Sequence, residues 1–170
     1  MMRRRQGGRH GGRWDAPCAR GLRGDTLRRA DAKGDAMTDA VAAKKIEAHL
    51  KTLGWPVIAL SERTWRSSFR ARRGSFPLVI QAEGAFCRLM VLPIVRLPAD
   101  PEKAEKLYAK LLRLNGEMLL ARFSLDEDGD VVLSVEFPVE HMDASEMRDA
   151  LDVLSVYAEK HRAELRQLVA

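Results

Sequence analysis

Between residues 63 and 137 the chain repeats one device: a run of alternating side chains, a short connection, and another such run. Period-two alternation marks a strand with one buried face, because successive side chains of an extended chain point to opposite sides. "RTWRSSFRARR", residues 63–73, puts Trp65, Ser67, Phe69 and Ala71 on one side. Arg66, Ser68, Arg70 and Arg72 fall on the other. "GSFPLVIQAEG" and "FCRLMVLPIVRLP" read as two more strands, divided by Gly84-Ala85. The second of these is apolar at both parities, with Phe86, Met90 and Leu92 against Cys87, Leu89 and Val91. Pro93 has no amide to donate, which points to a bulge or an edge there. "MLLARFSLD" and "DVVLSVEFP" supply a fourth and a fifth strand.

Helical signals flank and divide these runs. Thr38 and Asp39 suit an N-cap, and Val41, Ile46, Leu50 and Leu53 follow at helical spacing up to Gly54. A first helix is expected over about residues 39–53. Asp100 and Pro101 open a second, with Leu107, Leu111 and Leu114 as its apolar stripe and Asn115-Gly116 as its end. Asp143 and Glu146 have the spacing of a capping box, and Met147, Leu151, Leu154, Ala158 and Leu165 mark the buried side of a third. The element order is α-β-β-β-α-β-β-α. Strands joined by short turns pair antiparallel. The expected fold is α+β, a five-stranded antiparallel sheet with helices packed on it.

The acids of "FSLDEDGDVVLSVEFP" invite a metal-loop reading, which the spacing rejects. A calcium loop of the EF-hand type needs glycine at position 6 and glutamate at position 12. Counted from Asp126, those positions hold Val131 and Phe137. Asp128-Gly129 between alternating runs is a hairpin signal instead. The four histidines, His10, His49, His141 and His161, include no pair at helical metal-site spacing. Surface or half-buried places are expected for them. Ser67 and Ser68 have no histidine or acid near them in sequence that would make a nucleophile. Trp55, Trp65 and Phe69 read as core aromatics. No catalytic residues, metal ligands or cofactor site emerge, and the chain does not read as an enzyme.

Charge separates the chain into two parts. Residues 1–36 hold ten Lys or Arg against four Asp or Glu; the remaining 134 residues hold 19 against 20. The leader is rich in glycine and lacks apolar periodicity, so it reads as disordered. No apolar segment follows Arg3, Arg4 and Arg5, so it is not a secretion signal. Met37 is the expected natural start, which makes residues 1–36 an over-extended leader and 37–170 one domain. "RQGGRHGGR" also resembles segments that bind RNA. Cys18 and Cys87 are far apart and suggest no disulfide framework, which suits the cytoplasm. No run is long and apolar enough for a membrane span.

The stretch "LLRLNGEMLLARFSLDEDGDVVLSVEFPVEHMDASEMRDALDVL" resembles the YbjN family, the bacterial sensory transduction regulators. That family is similar to the class I type III secretion chaperones. The resemblance rests on a helix ending in Leu-x-x-Asn, here Leu112 to Asn115, followed by Phe123, the acidic glycine turn, a strand ending at Pro138 and a helix opening on an acid. It is carried by about residues 101–160. It implies a small cytoplasmic protein, often a homodimer, that holds an extended segment of another protein without chemistry. No catalytic residues carry over.

The function expected is therefore a non-enzymatic, chaperone-like or regulatory protein-binding module. The basic set Arg63, Arg66, Arg70, Arg72 and Arg73 reads first as a solvated strand face whose charges discourage edge-to-edge aggregation. It reads second as a docking surface for an acidic segment of a client or for phosphate, with Arg66, Arg70 and Arg72 as the candidate contacts. Leu89 and Val91 are the module's candidate apolar contacts. A nucleic-acid-associated regulator using the basic leader is the second reading.

Overall fold

A computed structural model describes residues 31–72 and 74–170. Its elements are α1 (Asp31–Thr52), β1 (Ile58–Ser61), β2 (Thr64–Ala71), β3 (Gly74–Glu83), β4 (Phe86–Arg96), α2 (Pro101–Glu117), β5 (Ala121–Leu125), β6 (Asp130–Pro138) and α3 (Ala144–Val169). The strands form one antiparallel sheet in the order β1-β2-β3-β4-β6-β5. All three helices pack against it and cover one face.

Two expectations need correction. The sheet has six strands, not five, and the element order gains a strand before the first one expected. β1 escapes periodicity because all four of its residues are exposed, so it has no buried side to alternate with. It exists because the chain turns back tightly at Ser61, whose hydroxyl accepts from the Arg63 amide at 3.2 Å, and lays Ile58 beside Arg66. The first helix starts at Asp31, eight residues before the expected boundary and inside the segment read as leader. Its buried apolar residues are Ala42, Ala43, Ile46 and Leu50, while Val41 faces solvent. Residues 1–30 of the leader, and Arg73, lie outside the described residues.

The remaining elements follow from their sequences. On the covered face the strands contribute aligned rows such as Ile80, Leu89, Val135 and Ala121. Trp65, Phe69, Phe76, Leu78 and Cys87 belong to the same strand side of the core. Met147, Leu151, Leu154, Ala158 and Leu165 of α3 bury against them, as their spacing requires. Arg162 of α3 lies 4.6 Å over the Phe76 ring, which itself stacks on Phe69. The capping box is formed: the Asp143 carboxylate accepts from the Glu146 amide at 3.0 Å, and Glu146 accepts from the Asp143 amide at 3.1 Å. Pro93 falls where the β4–β6 register breaks, between Val91 and Val95.

The acidic turn is a hairpin. The Asp126 carboxylate accepts from the Asp128 and Asp130 amides at 3.1 and 2.8 Å. Gly129 takes φ 79°, a left-handed conformation that costs glycine nothing. The acids thus satisfy backbone donors and close a loop.

Candidate functional site

The two edges of the sheet end differently. β5 is one edge, and its outward backbone is already occupied. The Asn115 side chain on α2 accepts from the Phe123 amide at 2.7 Å and donates to the Phe123 carbonyl at 3.0 Å. Two residues earlier on that edge, the Ala121 amide bonds the Leu119 carbonyl at 2.7 Å. A side-chain amide here does what a neighbouring strand would do. This is the structural task of the asparagine in the Leu-x-x-Asn motif.

The opposite edge is open. β1 pairs with β2 only from Ile58 opposite Arg66 to Ser61 opposite Thr64. Ser67 to Ala71 therefore have no strand on that side. The chain before β1 is drawn off the edge: the Trp55 indole N–H donates to Ser67 Oγ at 3.0 Å, and that hydroxyl donates to the Pro56 carbonyl at 2.6 Å. A groove of about 600 Å³ results, with Pro56, Val57 and Ile58 on one side and Arg66, Ser68 and Pro77 on the other. Strands leave outward amides and carbonyls at alternate residues of such an edge.

Arg66 and Arg70 stand on the uncovered face of β2, both exposed and without an acidic partner among the described residues. Arg72 lies past the end of β2 and turns toward the helices, where its Nε meets Glu159 Oε1 at 3.3 Å. Arg63 is held by Asp39 of α1. The structure thus brings together two of the three arginines read as contacts.

Leu89 and Val91 are 0% exposed. They point into the core beneath the helices and offer a partner no surface. The apolar character of both parities in β4 hid which side the helices take. The surface of β4 is instead Phe86, Arg88, Met90 and Leu92 on the uncovered face. Arg88 carried that information, because an arginine among apolar residues marks the parity that meets water.

Trp65 and Phe69 are buried, and Trp55 packs partly against the core. His161 departs from expectation: it is buried among α3, Tyr157 and Phe123, and its Nε2 has no hydrogen-bond partner. Burial lowers its pKa below the ordinary histidine value, and the nearby Lys160 charge adds to this. The Cys87 thiol is pushed up to about 12 by burial, so it is an inert core atom at neutral pH. Among the described residues, no three His, Cys, Asp or Glu side chains are placed to hold a metal ion. No described helix is long and apolar enough to cross a membrane.

The YbjN family model, that of a bacterial sensory transduction regulator, matches residues 42–167. The chain belongs to the YbjN family. Its match runs from within α1 to near the end of α3, so it takes in the whole sheet, both edges included. YbjN of E. coli, in its crystal structure, superimposes with a TM-score of 0.52 at 16% identity, over 71% of this chain and 91% of that one. The ExoU–SpcU complex from the type III secretion system of Pseudomonas aeruginosa gives 0.52 at 20% identity, over 73% and 97%. The HopA1–SchA chaperone–effector complex gives 0.52 at 15% identity, over 75% and 97%. These likenesses establish a fold shared with type III secretion chaperones. No curated protein matches the sequence.

Proposed function

We propose that this YbjN-family protein is a non-enzymatic, chaperone-like module that holds an extended segment of a partner protein at the open edge of β2. The observation that carries the reading is the contrast of edges: Phe123 on β5 is closed by Asn115, while Ser67–Ala71 on β2 has no neighbouring strand. An added strand would gain backbone hydrogen bonds there, and the groove beside Ile58 and Pro77 would take its side chains. That structures of chaperones with protein partners share the fold supports the same reading. The protein is proposed to work in the cytoplasm, as one domain over residues 37–170.

Self-association is part of the proposal. Leu112 of α2, one helical turn from Tyr108, and Leu119 and Leu120 in the α2–β5 connection are more than 70% exposed. So much exposed apolar surface suits a second copy. Light scattering should report a dimer, and Leu119→Asp with Leu120→Asp a monomer; a monomeric wild type rejects this part.

The test of the main reading places a carboxylate on the edge. Ser68 is exposed, so Ser68→Glu keeps the fold while its carboxylate, drawn to Arg66 and Arg70, fills the place an added strand would use. Proteins captured from lysate by the wild type should be lost from the variant. Equal capture by both contradicts the reading.

The second reading, a nucleic-acid-associated regulator, draws on the ten basic residues of the segment 1–36. It requires binding that falls steeply with salt and vanishes on deleting that segment.

A further inference from the structure

The uncovered face of the sheet already holds one carboxylate between two guanidiniums. Glu136 of β6 stands directly across from Arg88 of β4 and accepts from its Nε at 2.6 Å. It also accepts from Arg122 of β5, although Arg122 is paired with Ser134, two residues away. An arginine on this face therefore reaches a carboxylate one strand over and two residues along, the diagonal neighbour of an antiparallel sheet. Burial pushes the Glu136 carboxyl up, but the Arg122 hydrogen bond and the charges of Arg88 and Arg122 outweigh it and hold the group below its usual range.

Half of the same arrangement stands at the vacant edge. A strand laid along Ser67–Ala71, in line with β1, places one residue opposite Ser68. Ser68 lies between Arg66 and Arg70 on the uncovered face, so that residue is diagonal to both arginines. Ser68 is small and exposed, which leaves the space between them open. A carboxylate there stands to Arg66 and Arg70 as Glu136 stands to Arg122. The next position of the added strand faces Phe69, on the covered side at the margin of the core. An apolar side chain extends the core at that point.

We propose that the β2 edge selects extended segments in which one acidic residue, facing Ser68 and clamped by Arg66 and Arg70, is followed or preceded by an apolar one facing Phe69. The proposal rests on the strand-docking reading above and adds the chemistry of the partner. It explains why the two arginines on either side of Ser68 lack acidic partners, while Arg63, Arg72, Arg88 and Arg122 each have one among the described residues.

A library of random 12-residue peptides displayed on phage, selected on the immobilised full chain, tests it. Recovered peptides should share an acidic residue beside an apolar one. A synthetic copy with that Glu changed to Gln should bind about tenfold more weakly by fluorescence anisotropy at low salt, and the difference should shrink as salt rises. In the Arg66→Gln, Arg70→Gln variant the two peptides should bind alike. In the Arg66→Glu, Arg70→Glu variant a copy with Lys in place of the Glu should be preferred. Both variants change exposed residues, and circular dichroism checks their fold. Peptides that bind wild type and the Gln variant equally, with no acidic preference, overturn the proposal and leave strand docking standing. A selection that enriches no peptide overturns both.

Discussion

The β5 and β2 edges belong to one sheet, yet only one of them is finished. At β5 a single asparagine supplies both a donor and an acceptor to Phe123, and the sheet stops there. At β2 the strand runs five residues beyond its neighbour, and two arginines flank the gap. An unpaired edge is a liability for aggregation, which charged side chains reduce. On the proposed reading the same charges also make the edge selective, and the sheet is left open where a partner docks and closed by a side chain at its other edge.

Four substitutions sharpen or break this comparison. The largest effect belongs to the shared core between the edges. Leu89→Ala should cost about 2–5 kcal/mol in chemical denaturation, because it empties a fully buried site. A small stability change together with lost partner binding would instead return Leu89 to the surface. Asn115→Ala should come next, at about 2–3 kcal/mol, since it strips a donor and an acceptor from the closed edge. It should also make β5 a second, weaker strand acceptor, detectable as slow aggregation.

The third effect is a pH dependence on the closed side. The unfolded chain's His161 takes up a proton near 6.5, while the buried ring has a lower pKa and stays neutral. The unfolded state then binds more protons, so stability declines as pH falls below about 6.5. His161→Phe should flatten that limb of the stability curve; an unchanged limb contradicts the assignment. The smallest effect on stability is at the open edge. Arg66→Gln should change it by less than about 0.5 kcal/mol, because the side chain is exposed and has no acidic partner among the described residues. The whole of its effect should appear in binding.

Much of this was legible in the sequence. Alternating runs, and in β4 an apolar run at both parities, located five strands, and Asp100 and the Asp143–Glu146 box located two helix starts, because each is a local rule. The acidic hairpin was legible for the same reason: Gly129 accepts a conformation that other residues resist. β1 was not, since a strand exposed on both sides carries no alternation. The side of β4 that the helices cover was not either, because Leu89 and Met90 look alike until something is packed on one of them. Arg66 and Arg70 could be placed on one face, but nothing local says that β1 stops at Ile58 and leaves them beside a gap. The Asn115–Phe123 clamp appeared only as a motif; its meaning lies in a contact across the α2–β5 connection.

Hydrogen exchange on the full chain, with and without a phage-selected peptide, addresses the central claim directly. The account predicts slowed exchange at alternate amides within Ser67–Ala71, with Ala121–Leu125 unchanged. Protection confined to Leu119–Leu125, with β2 exchanging as it does in the free protein, would contradict it.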